Sequence, residues 1–91
     1  MESSVIVFGV ENCEDTQRIR RFLDSRGINY VYVDLDRNKE AEQMVKEENE
    51  GKRRTPLVVV QFGNEARKLH VPSNQEVADA LRDFELLDQA A

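Results

Sequence analysis

"FGVENCEDTQRIRRFL", residues 8–23, holds the only cysteine of the chain and marks the point where its residue pattern changes. Just before it, "SVIVFG" (4–9) is a short β-branched, apolar run closed by a glycine, which reads as a buried strand. After it, Cys13, Thr16, Ile19, Phe22 and Leu23 recur at helical spacing, Arg18, Arg20, Arg21 and Asp24 face elsewhere, and Gly27 offers a C-cap. Cys13 therefore falls at a strand-to-helix junction. A cysteine can occupy such a place merely as a small buried residue, as free cysteines often do. The polar neighbours Asn12 and Glu14 instead turn this one outward, as a working thiol requires.

Outward from that stretch the pattern alternates. "INYVYVDL" (28–35) is β-branched and aromatic, ends at an Asp and reads as a second strand. "NKEAEQMVKEENEG" (38–51) is rich in helix formers, with Asn38 to cap its start and Gly51 to end it. Its apolar stripe is only Ala41, Met44 and Val45, so most of this helix faces water. "PLVVVQF" (56–62) is the strongest strand, "GN" at 63–64 is a tight-turn signal, and "EARKLHV" (65–71) is the return strand of a hairpin. "SNQEVADALRDFELL" (73–87) opens with the capping-box pair Ser73 and Glu76 and buries Val77, Ala80, Leu81 and Phe84. Two strands joined by a helix pair in parallel through a right-handed crossover. The expected architecture is α/β: a four-stranded mixed sheet in the order β-α-β-α-β-β-α, with three helices.

A chain of 91 residues implies one domain, over 1–91, with a modest core. Its 13 basic and 18 acidic residues, net −5, argue against nucleic acid as a partner, because phosphate binding needs a surplus of cations. No apolar stretch reaches the roughly 20 residues of a membrane span. "MESSVIVFG" lacks the basic start and long apolar segment of a secretory signal. One cysteine cannot form an internal disulfide, so a cytoplasmic, reducing setting and a monomer are expected.

This order of elements resembles the thioredoxin fold in its small glutaredoxin form, at three places. Cys13 stands where that family's first active-site cysteine stands. "RTP" (54–56) resembles its Thr-Val-Pro, whose proline is cis. Ser73 and Asn74 fall where the family places a Gly-Gly turn and an acidic residue that grip glutathione. The chain departs from the family at three points. "CEDT" carries Thr16 in place of the second cysteine, Val10 replaces a lysine often found three residues before the first, and the Gly-Gly pair is missing. The hairpin and last helix look similar to the redoxins that feed ribonucleotide reductase. "FGVENCEDT" also resembles the start of arsenate reductase and Spx-type proteins, whose extra helical sequence 91 residues do not accommodate.

The thiolate is the reactive form of cysteine. A helix start favours it through unpaired N–H groups and the positive dipole end, and the Thr16 hydroxyl, one turn on, can donate to the sulfur. Glu11, Glu14 and Asp15 are like charges that oppose it, but exposed carboxylates are screened, so a moderately lowered pKa is expected. Without a resolving cysteine, Cys13 works as a monothiol on glutathione mixed disulfides. Glutathione is then a co-substrate, either free or carried by a glutathionylated protein, and no cofactor is tightly bound. The resemblance implies a cis Thr55–Pro56 bond that presents the Thr55 backbone to glutathione, with Arg53 and Arg54 near a carboxylate and Ser73 and Asn74 at its far end.

The competing function is a non-catalytic thioredoxin-fold module that binds a protein partner. An iron–sulfur carrier is the weakest reading, since carriers of that kind have a small glycine where Glu14 stands. His70 has no companions for a metal set. Tyr30 and Tyr32 read as one sheet face, and Glu47, Glu48 and Glu50 as a solvated helix end.

Overall fold

A computed structural model describes residues 3–86. The elements are β1 (Ser3–Gly9), α1 (Glu14–Ser25), β2 (Val31–Asp34), α2 (Lys39–Glu48), β3 (Leu57–Phe62), β4 (Glu65–His70) and α3 (Asn74–Asp83). The sheet runs β2-β1-β3-β4, with β1 parallel to β2, and β3 antiparallel to both β1 and β4. This is the thioredoxin-like architecture that the residue pattern implies.

The apolar run of β3 explains its central place. Leu57, Val58, Val59 and Val60 are all buried because the sheet is covered on both faces. Val58 and Val60 join Val5, Val7, Ile19, Leu23, Val77 and Leu81 in the core beneath α1 and α3. Leu57 and Val59 face the other way, onto Ala41 and Val45 of α2, with Val10 and Leu35. The Ala41, Met44 and Val45 stripe is the whole apolar face of α2, and it packs into this second cluster.

Three boundaries differ from the sequence reading by more than one residue. The second strand is shorter than 28–35 because Ile28 closes α1 instead of joining β1. Its N–H bonds to Leu23 C=O while the N–H of Gly27, at φ 68, bonds to Asp24 C=O, a Schellman ending. The second helix ends at Glu48, and Glu50 and Gly51 turn through positive φ. The third ends at Asp83 by the same Schellman pattern: Leu86 N–H reaches Leu81 C=O, and Glu85 takes the left-handed position at φ 60. The expected last residue of that helix, Leu87, lies outside the described residues.

Candidate active site

The site begins at the end of β1. Val10 is buried in the α2-side core, so the position that could have held a cation points inward. The chain then turns, with Cys13 N–H bonded to Val10 C=O, and Cys13 becomes the N-cap of α1. The sequence reading put it in the first turn; it sits one step earlier, with extended backbone (φ −95, ψ 120) and its C=O accepting from Gln17 N–H. Its side chain makes no cap hydrogen bond, which leaves the first N–H groups of the helix without a side-chain oxygen.

Tertiary structure brings the Thr55–Pro56 segment to this point. The Cys13 thiol donates to Thr55 C=O, with 3.7 Å between Sγ and O, across 42 positions of sequence. The Thr55–Pro56 peptide bond is cis, and Pro56 is buried. Its C=O accepts from Val71 N–H, tying the end of β4 to the same place.

Burial, the largest single influence on the Cys13 thiol, pushes its pKa up. Hydrogen bonding from the Thr16 and Thr55 side chains and from the backbone N–H groups of Thr16 and Asp15 outweighs it, so the thiol lies below its ordinary value. The carboxylates of Glu11, Glu14 and Asp15 do not figure among the leading influences. Two of them are already paired: Glu11 bonds to Arg20 at 2.9 Å and to Gln17, and Asp15 to Arg18 at 3.1 Å.

Thr16 is fully buried, and its hydroxyl has no partner at full hydrogen-bond geometry, although it lies near enough to the sulfur to favour the thiolate. It packs against Gly9, the glycine that closes β1.

Helical spacing turns Arg18 away from the apolar stripe of α1. Its guanidinium instead spans from α1 to α3, donating to Asn74 Oδ1 at 2.6 Å, to Pro72 C=O at 2.9 Å and to Asp15. No local pattern could have revealed contacts made over more than 50 positions. With Asp15, Val71, Pro72 and Ser73 it lines an open cleft of about 620 Å³ beside the start of α3. There Ser73 and Glu76 form the expected capping box, and Val71 holds φ 45, a left-handed conformation that is unusual for a β-branched residue.

The remaining predicted residues divide. Arg53 donates from one nitrogen to Asp36 at 2.9 Å and to Glu42 at 2.8 Å, so it braces the β2–α2 turn. Arg54 is exposed and makes no hydrogen bond or ion pair among the described residues. His70 is exposed on β4, and no group of three metal-ligating side chains occurs among the described residues. Tyr32 lies under the Arg20 guanidinium, 3.9 Å from its centre, and its pKa is pushed up to about 12, first by burial and then by Glu11.

The glutaredoxin family model matches residues 5–65, more than half of the chain and inclusive of Cys13 and Pro56. The chain belongs to the glutaredoxin family. That family is one of thiol oxidoreductases, and the match stops before the start of α3, where the Gly-Gly turn is missing. Among solved structures, this glutaredoxin is similar to the glutaredoxin of Archaeoglobus fulgidus, at 19% identity and TM-score 0.67 over 88% of this chain and 87% of that one. It is also similar to the glutaredoxin-like protein NrdH-redoxin from Escherichia coli, at 20% identity and TM-score 0.57 over 70% and 79%. A third likeness is to mitochondrial thioredoxin 3 from Saccharomyces cerevisiae, at 15% identity and TM-score 0.63 over 89% and 77%. Such identities speak for the fold alone. No curated protein is a significant match.

Proposed function

We propose that this glutaredoxin is a monothiol oxidoreductase that exchanges glutathione with mixed disulfides through Cys13. The observation that supports it most is the placement of the Cys13 sulfur at an uncapped helix start, against the Thr55 backbone. In the first step the Cys13 thiolate attacks the glutathione sulfur of a protein–glutathione disulfide. The new Cys13–glutathione disulfide forms as the protein thiolate leaves. A second glutathione thiolate then attacks that disulfide, releasing oxidised glutathione and restoring the Cys13 thiolate. With no second cysteine in the chain, the external thiol supplies both electrons of the net reduction. The Thr55 backbone pairs with the cysteinyl part of glutathione, Arg54 meets a carboxylate, and Asn74 and Ser73 border the cleft for its far end. This chemistry suits a monomer in a reducing, cytoplasmic setting.

The test is mass spectrometry of Cys13 after exposure to oxidised glutathione, followed by timed release with reduced glutathione. One glutathione adduct that reduced glutathione clears is the expected result; a Cys13 that takes none defeats the proposal. The second reading, a module that binds a protein partner, draws on the pairing of Arg53 with Asp36 and Glu42 and of Ser73 with Glu76. Both pairings compete with a small anionic ligand. Unchanged chemical shifts at Thr55, Arg54 and Asn74 in a glutathione titration would favour it.

A further inference from the structure

We infer that Gly9 is a positioning residue of the thiol site: its lack of a side chain lets Thr16 seat in the core with its hydroxyl turned to the Cys13 sulfur. The inference rests on the reading of Cys13 as a working thiol.

Gly9 is the last residue of β1, and it is buried. It is not among the residues of positive φ, so its backbone does not call for glycine. Space does. A β-carbon at position 9 would lie 2.5 Å from Thr16 Cγ2, 2.6 Å from Thr16 Oγ1 and 3.1 Å from Thr16 Cβ. Thr16 cannot swing aside easily, because a β-branched side chain on a helix has few rotamers and this one is enclosed. Any residue other than glycine at position 9 therefore displaces Thr16.

The role of Thr16 there is argued by its unused hydroxyl and by its place three residues beyond Cys13, the N-cap of α1, where an N-cap side chain meets the first turn. A helical threonine commonly bonds back to a carbonyl one turn earlier, and a buried hydroxyl without a partner is costly. Thr16 Oγ1 is buried and has no such bond. Valine would fill the same volume without that cost. The hydroxyl gains its acceptor when Cys13 ionises: it then donates to the thiolate while keeping its own proton. The same bond favours Cys13 as the leaving sulfur when an external thiol attacks the mixed disulfide. Thr16 thus serves the sulfur directly, and Gly9 acts only through Thr16.

The test reads the Cys13 pKa from the pH dependence of its alkylation by iodoacetamide, which needs no glutathione. Glu11, Glu14, Asp15 and Arg54, the ionisable side chains beside Cys13 and Thr55 in sequence, are retained in every variant, so their influence is common to all. Thr16→Val should move the alkylation curve to higher pH and slow the reaction several-fold at neutral pH, while Thr16→Ser should stay near wild type. Gly9→Ala should resemble Thr16→Val. The double variant Gly9→Ala/Thr16→Ala, which lacks both the Cγ2 and the Oγ1 that crowd the added methyl, should fold and give the Thr16→Val curve. A wild-type curve for Thr16→Val, or for a cooperatively melting Gly9→Ala, overturns the inference. If Gly9→Ala alone does not fold, the double variant decides: a wild-type curve, or a double variant that does not fold either, overturns the inference. A glutathione exchange assay on wild type is run in parallel. Failed exchange with the expected pKa pattern removes the proposed function but keeps the inference; the reverse result does the opposite.

Discussion

Two helix starts lie side by side in this protein and are finished in opposite ways. At α3, Ser73 and Glu76 satisfy each other's backbone N–H groups in a closed capping box. At α1 the N-cap is Cys13, whose side chain makes no cap hydrogen bond. The same physical feature, a cluster of unpaired donors at a positive dipole end, is spent on stability at α3 and kept for chemistry at α1. Arg18 straps the two together through Asn74 and Pro72.

The sharpest way to break the contrast is Cys13→Ser. It should abolish thiol exchange altogether, yet raise stability by about 0.5–1 kcal/mol, because serine caps where cysteine does not. Loss of activity in the exchange assay and a higher melting temperature check the two halves together. Arg18→Met, which cuts the strap but keeps the aliphatic stem, should cost about 1.5 kcal/mol in urea unfolding, the lower end of the range for hydrogen bonds from a charged group, because the guanidinium is partly exposed. Ser73→Ala should cost about 1 kcal/mol and leave the alkylation rate of Cys13 unchanged. A change in that rate would show that α3 also serves the sulfur. Val71→Gly relieves a β-branched residue at φ 45 and should gain about 0.5–1 kcal/mol, a rise of a few degrees in melting temperature.

The smallest expected effect is the pH dependence that Cys13 lends to stability. Its folded pKa lies below its ordinary value. Below the folded value both states are protonated and nothing is contributed. Above the unfolded value, about 8.5 for a free thiol, the contribution is complete. Wild type should therefore gain slightly over Cys13→Ser as pH rises between those limits, and lose that gain as pH falls back through the folded pKa. Equal slopes for the two proteins would mean that the thiolate gains nothing from the fold.

Much of this was legible in the residue order, and the particular elements show why. The β3 run and the stripe of α3 declare themselves through periodicity, and Ser73 with Glu76 through local spacing. Cys13 stood out because the pattern changes around it. Arg18 did not stand out: its partners are 54 and 56 positions away, and a surface arginine on a helix looks the same whether it straps two elements or faces water. Arg53, read as a ligand contact, braces Asp36 and Glu42, a pairing set by how the β2–α2 turn folds back. The start of β2 was overextended because Ile28, apolar and β-branched, suits both a strand and the hydrophobic close of a Schellman ending.

By itself the sequence determined the order of elements, the central strand, the closed start of α3 and the cysteine at the junction, since each depends on spacing within one or two turns of chain. Tertiary structure alone decided what meets the sulfur. The Thr55 carbonyl arrives from 42 positions away, Glu11 is drawn into an ion pair with Arg20, and Gly9 makes room for Thr16. Reactivity depends on such contacts because hydrogen bonds and excluded volume act over a few ångströms of space, and only the packed fold sets those separations.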